Sequence, residues 1–172
     1  MSRPGAITFK GNPLTLAGQA VAVGQAAPDF RTHYFDGGLK TLTLADVKGK
    51  PTMISVVPSL DTGVCQKQTK RFNDELAALG DKINAVTVSA DLPFAMNRFC
   101  GAEGIKNLRN GSDYWDHSFG LAYGMLIEEL HILARGTYVL DASGKVVYTE
   151  TVPEMTEEPN YEAALAALKS LV

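Results

Sequence analysis

The stretch Thr52-Met53-Ile54-Ser55-Val56-Val57, followed by Pro58-Ser59-Leu60-Asp61-Thr62-Gly63-Val64-Cys65, decides the fold. Its first half is β-branched and apolar on both faces, which fits a central strand covered on two sides. Pro58 to Gly63 breaks that strand. Beyond the break Val64, Gln68, Phe72, Leu76 and Leu79 recur at helical spacing, and Gly80 stops the helix. Strand, tight loop and helix make the first half of a βαβ unit.

Downstream, Ile83 to Ser89 supplies the next strand. Pro93 opens a helix running through Phe94, Asn97 and Phe99 to Cys100, with Gly101 and Gly104 near its end. From Asn107 to His117 the chain reads as polar and irregular, and a short helix is expected around Ser118 to Tyr123. Gly136 to Leu140, a turn at Asp141 to Gly144, and Lys145 to Tyr148 read as an antiparallel hairpin. Pro159 and Asn160 introduce a last helix with Tyr161, Leu165 and Leu168 on one face. Upstream, Ala6 to Lys10 and Leu14 to Leu16 flank a Gly11-Asn12-Pro13 turn. A loop containing Pro28 then leads to a strand over Leu39 to Leu44. This order predicts helices on both sides of a central mixed sheet. It is the pattern of an α/β, thioredoxin-like fold, one domain over residues 1–172 with a β-hairpin extension over residues 1–18.

Composition narrows the function. The chain has 172 residues, 45% of them hydrophobic and 20% charged, enough for one domain to build its core without metal or disulfide staples. The net charge is −3 and no run of Lys and Arg forms a basic face, so nucleic acid is not an expected partner. Apolar stretches are too short to span a bilayer, and Met1 to Ala6 lacks the apolar core of a secretory signal. No membrane partner is expected, and a cytoplasmic location is.

There are two cysteines, Cys65 and Cys100. They can be inert buried residues or a structural disulfide worth about 4 kcal/mol by the chain-entropy model, or they can be working thiols. A reducing compartment disfavours the structural bridge. Together with His33, His117 and His131 they never approach zinc-ligand spacing, so no metal is expected. Cys65 falls in the first turn of its helix, where unpartnered N–H groups and the helix dipole favour the thiolate, the nucleophilic form. Thr62 stands at the N-cap, where its hydroxyl can accept a backbone N–H and donate toward the sulfur or an incoming oxygen. Pro58, with no N–H and a fixed φ, can wall a pocket and restrict water.

Pro58-Ser59-Leu60-Asp61-Thr62-Gly63-Val64-Cys65 resembles the peroxiredoxin signature, in the form found in bacterial thiol peroxidases. The resemblance extends to Phe9-Lys10-Gly11-Asn12-Pro13 and to Ser89-Ala90-Asp91-Leu92-Pro93-Phe94-Ala95. It continues through Arg98 to Gly104 and through Glu158 to Leu165, covering nearly the whole chain. It implies an atypical two-cysteine peroxidase in which Cys65 is the peroxidatic cysteine and Cys100 the resolving one. Pro58 and Thr62 match the family's active-site partners, and its arginine falls on Arg135. An arginine suits the role, being always charged and planar, with donors that can hold thiolate and peroxide oxygens together.

The implied cycle begins with Cys65 attacking a hydroperoxide, organic or hydrogen peroxide. The resulting sulfenic acid is resolved by Cys100 as an intramolecular disulfide, and a thioredoxin-type protein reopens that bond. The sulfur supplies the redox chemistry, so no cofactor is implied; a homodimer is. Two departures bear on the pocket. Gly136-Thr137 follows the arginine where small apolar residues are usual, and His131-Ile132-Leu133 stands where Gly-Leu usually precedes Ala-Arg. A C-x-x-C disulfide reductase is disfavoured, because Gln66-Lys67-Gln68 follows Cys65. A non-catalytic thiol redox sensor shares the first chemical step and is told apart by sustained turnover.

Overall fold

In the computed structural model, which describes every residue from Met1 to Val172, the chain begins with a hairpin, β1 (Ser2–Phe9) and β2 (Asn12–Ala17). It continues through β3 (Arg31–Phe35), β4 (Leu39–Thr43), β5 (Thr52–Val56) and α1 (Gly63–Leu76). Next come β6 (Asn84–Ser89), α2 (Pro93–Glu103), β7 (Arg109–Ser112) and α3 (Ser118–Ala122). The chain closes with β8 (Leu126–Ile127), β9 (Ile132–Leu133), β10 (Gly136–Leu140), β11 (Val146–Thr151) and α4 (Tyr161–Lys169).

The main sheet has seven strands in the order β11-β10-β5-β6-β7-β3-β4. β5, β6 and β7 are parallel, and antiparallel strands extend the sheet on both sides. Every residue of β5 is buried, as its double-sided apolar pattern requires. Its side chains divide at period two. Met53 joins a cluster with Phe72 and Leu76 of α1, Met96 and Phe99 of α2, and Tyr161 and Leu165 of α4. Ile54 and Val56 join the opposite cluster, with Phe119 of α3, Tyr138 of β10 and Ile7 and Leu16 of the hairpin. Phe119 stacks on Tyr123 at 4.2 Å between centroids, and Tyr138 meets Tyr123 edge-on at 5.1 Å. The sheet is thus covered on both faces, the thioredoxin-like arrangement that the element order predicts.

Four parts of the fold differ from the sequence reading. Arg31–Phe35, read as loop, is β3, and it pairs with β4 from Arg31↔Thr43 to Phe35↔Leu39. Arg109–Ser112, read as irregular, is β7, parallel to β6. Neither carries a period-two apolar pattern: β3 mixes Arg31, Thr32 and His33 with Tyr34 and Phe35, and the buried half of β7, Gly111 and Ser112, has room only for small side chains. A methyl group on Gly111 would already meet Thr32 Oγ1 at 2.9 Å. Leu126–Ile127 and Ile132–Leu133 form a small hairpin that joins β1 and β2 in a second sheet of order β1-β2-β8-β9. Finally, α1 ends at Leu76 rather than at Gly80, and Leu79 packs on the apolar cluster from beyond the helix end.

Candidate active site

The first turn of α1 is Gly63, Val64 and Cys65, with Thr62 as N-cap in extended conformation (φ −114°, ψ 148°). Cys65 is fully buried. Helical pairing is established at once: Gln66 N donates to Thr62 O at 3.0 Å, and Thr69 Oγ1 to Cys65 O at 2.9 Å. The Thr62 hydroxyl does not cap the helix as the sequence predicts. It donates to Ser59 O at 2.9 Å, beside Thr62 N on the same carbonyl at 3.1 Å. The cause lies in the preceding turn, which Asp91 holds from outside. Asp91 accepts from Ser59 Oγ at 2.7 Å, Leu60 N at 2.8 Å and Ser89 Oγ at 2.7 Å. With Ser59 and Leu60 pinned, the Ser59 carbonyl is turned toward Thr62.

Arg135 directly precedes β10, the strand antiparallel to β5, so it arrives beside the C-terminal end of β5, where α1 begins. Only 2% of it is exposed. A buried guanidinium is tolerable when its donors are spent on acceptors, and here four hydrogen bonds use them. Nη1 donates to Cys65 Sγ at 3.5 Å and to Gln68 Oε1 at 3.0 Å. Nε and Nη2 both donate to Met155 O, at 3.3 and 2.9 Å. Gln68 is fixed in turn, because its Nε2 donates to Ser55 Oγ of β5 at 2.8 Å. The arginine is therefore gripped from α1 on one side and from the segment before α4 on the other.

A cleft of about 280 Å3 opens above this group. Pro58, Ser59, Thr62, Gly63 and Arg135 line its floor side, and Phe9, Val64, Leu130, Ile132 and Met155 give it apolar walls. Thr62 and Pro58 thus share one opening with Arg135, whose Nη1 reaches the buried Cys65 Sγ behind it. His131 is not among the lining residues. It is exposed at the tip of the β8–β9 turn at φ 53°, although its neighbours Leu130 and Ile132 reach the cleft. A polar hollow of about 330 Å3 between Asp29, Arg31, Thr43 and Asp116 contains neither cysteine and is bridged by the Arg31–Asp116 ion pair.

Cys100 lies apart from the cleft, on the C-terminal half of α2. Both thiols are free. Cys100 is half-buried, its thiol donates to Asn110 Oδ1 at 3.1 Å, and burial pushes that thiol above its ordinary range. The two cysteines nonetheless pack into one apolar cluster on the same face of the main sheet. Gln68, Asp91 and the Met155 carbonyl escape a motif reading. Of these Asp91 falls within the Ser89–Ala95 resemblance but without a role, and Gln68 leaves a trace as a polar residue at a buried position of the α1 pattern.

Residues 22–165 match the Redoxin family. The chain is 57% identical to the thiol peroxidase of Bacillus subtilis over 166 residues, covering 96% of this chain and 98% of that one. It is 50% identical to the thiol peroxidase of Streptococcus pneumoniae R6 over 165 residues, covering 96% and 99%. Its fold superposes on the crystal structure of a peroxiredoxin-like protein from Aquifex aeolicus with a TM-score of 0.88 at 38% identity, covering 96% of each chain. Extending over the sheet, the cysteine helices and the arginine strand alike, this likeness makes the chain a member of the Redoxin family and, within it, one of the thiol peroxidases.

Proposed function

We propose that the peroxidase reaction runs through Cys65 as nucleophile, with Thr62, Arg135 and Pro58 forming its active site and Cys100 resolving the product. The observation that carries this reading is the Arg135 Nη1 at 3.5 Å from the buried Cys65 Sγ, with Arg135 itself lining an open cleft. The arginine's four hydrogen bonds leave one of its five N–H groups for an incoming oxygen.

The Cys65 thiolate attacks the terminal peroxide oxygen. An S–O bond forms, the O–O bond breaks, and its electron pair leaves on the second oxygen, which takes a proton and departs as water or an alcohol. Arg135, held in place beforehand by its existing bonds, stabilises the charge that develops on the oxygens, and the Thr62 hydroxyl adds a second donor by turning its one O–H from the Ser59 carbonyl to the peroxide. Pro58, with no N–H to offer, walls the opening. The product is a sulfenic acid, the reversible first step of cysteine oxidation. Cys100 then attacks that sulfur, and hydroxide leaves with a proton as water as the disulfide forms. A dithiol reductant of the thioredoxin type reopens it by exchange. The apolar walls formed by Phe9, Leu130, Ile132 and Met155 favour organic hydroperoxides alongside hydrogen peroxide.

A stopped-flow mix of reduced protein with one equivalent of organic hydroperoxide, closed by thiol counting and peptide mapping, tests the scheme. Wild type should lose both thiols with Cys65 linked to Cys100 within one chain. Cys65→Ser should lose turnover, and Cys100→Ser should react once and stall in a thioredoxin-coupled assay. Turnover by Cys65→Ser would refute the nucleophile. Normal coupled cycling by Cys100→Ser would refute the resolving role.

A further inference from the structure

Glu154 lies between β11 and α4, outside the cleft, yet its carboxylate accepts five hydrogen bonds from two separate parts of the chain. One oxygen, Oε2, accepts from Thr8 Oγ1 at 2.6 Å and Gly11 N at 3.1 Å. The other, Oε1, accepts from Lys10 N at 2.9 Å and from Thr156 N and Oγ1 at 3.2 and 2.9 Å. The β1–β2 turn makes this possible. Lys10 and Gly11 both have positive φ, 50° and 80°, and their consecutive N–H groups meet the two oxygens of one carboxylate. Next to this clasp the backbones pair directly, Thr8 N to Pro153 O at 2.7 Å and Met155 N to Thr8 O at 2.9 Å. Three neighbours of the clasp, Phe9, Met155 and Thr156, line the cleft. Met155 O is also the acceptor that takes Nε and Nη2 of Arg135.

We propose that Glu154 is a positioning residue for peroxide reduction: by clasping the Lys10–Gly11 turn to Thr156 it fixes the Met155 carbonyl, and through it the orientation of the Arg135 guanidinium. The proposal rests on the role of Arg135 given above. The carboxylate is held at about 2, chiefly by the Thr8 hydroxyl and then by the N–H groups of Gly11 and Lys10, so it stays ionised throughout the working range. Both oxygens must accept. A glutamine would bring its NH2 group against the Gly11 N–H in one orientation, or against the Lys10 and Thr156 N–H groups in the other.

The test is a double-mutant cycle with Glu154→Gln made in the wild type and in Arg135→Met. The second-order rate of Cys65 oxidation by hydrogen peroxide is measured by stopped flow, and alkylation of Cys65 by iodoacetamide is measured in parallel. In the wild-type background the rate should fall about tenfold, the scale of a displaced catalytic donor. In the Arg135→Met background it should change by less than about twofold. Alkylation of Cys65 should not accelerate, as it would if the site had merely loosened. An unchanged rate in the wild-type background, an equal loss in both backgrounds, or faster alkylation would each overturn the proposal. A wild-type rate in Arg135→Met alone would instead overturn the role of the arginine, and this inference with it. Should Glu154→Gln fail to fold, as judged by circular dichroism, Thr8→Val, which removes one donor and keeps the carboxylate, goes through the same cycle with the same criteria.

Discussion

A methyl group on Gly136 would be driven into the carbonyl oxygen of Glu150 and would lie 2.8 Å from Met125 Cε. The carbonyl belongs to β11, the hairpin partner of β10, and cannot retreat without breaking the ladder. Glycine after the arginine is therefore a packing requirement of this chain, and it accounts for one of the two departures from the family pattern. Gly136→Ala should destabilise the protein by about 1–3 kcal/mol, as overpacking does, and slow peroxide reduction by shifting its neighbour Arg135. Urea titration and stopped flow check both effects. Wild-type stability in that variant would mean that β11 yields more readily than a paired strand should. Thr62 makes a related point about neighbours. Its hydroxyl has the chemistry to cap α1, but the turn pinned by Asp91 offers it the Ser59 carbonyl instead.

Among the elements, α3 depends most on a single side chain. It has five residues, too few to stand as a helix alone, and its first N–H groups are taken by a buried carboxylate. Asp113 is 1% exposed and accepts from Phe119 N and Gly120 N, both at 2.8 Å. Burial pushes its carboxyl up to about 6, against the pull of those two donors. A folded-state value raised above the unfolded one means that the native state binds the proton more tightly. The native state therefore loses stability as pH rises from about 4 to about 6, by roughly 2–3 kcal/mol, and the loss is complete above that range. Asp113→Asn lacks this titration. Measured by urea between pH 4.5 and 7.5, wild-type stability should fall relative to Asp113→Asn as pH rises, then run parallel to it. A constant difference across the range would refute the assignment.

For the whole molecule, the separation of the two cysteines matters most. Cys65 is fixed in the first turn of α1 by Arg135, and the Cys100 thiol is turned toward Asn110 on β7. They share an apolar cluster but belong to different helices, and α2 ends in a left-handed Gly104 cap that closes it directly beyond Cys100 and its neighbours. The proposed disulfide takes each thiol off its present partner, Arg135 or Asn110, and the expected consequence is that the first turn of α1, the C-terminal half of α2, or both, give way. Hydrogen exchange should therefore be faster in the oxidised protein over residues 62–66 and 97–104, while β5 and β6 exchange as before. Equal protection of both helices in the two redox states would mean that the disulfide forms without local opening.

The strand Thr52–Val56, the helix after it and the motif from Pro58 to Cys65 are visible in the bare chain, because β-branched burial, helical period and turn chemistry are local properties. The resemblance that rests on that motif also points to Cys100 and Arg135. Hidden from such a reading are β3 and β7, whose pairing comes from neighbours rather than from their own pattern. Hidden too are the contacts that hold the site in place. Gln68, Asp91, Glu154 and the Met155 carbonyl reach the site by long-range contacts: Asp91 to Ser59 across 32 positions, Arg135 to Gln68 across 67, and Glu154 to Thr8 across 146. The proposed reacting groups are thus written in short stretches of sequence, since nucleophilicity is a property of residue type and local backbone. Their orientation is decided only in the folded molecule, because a hydrogen-bond acceptor must be brought to within about 3 Å of its donor by the packing of elements distant in the chain.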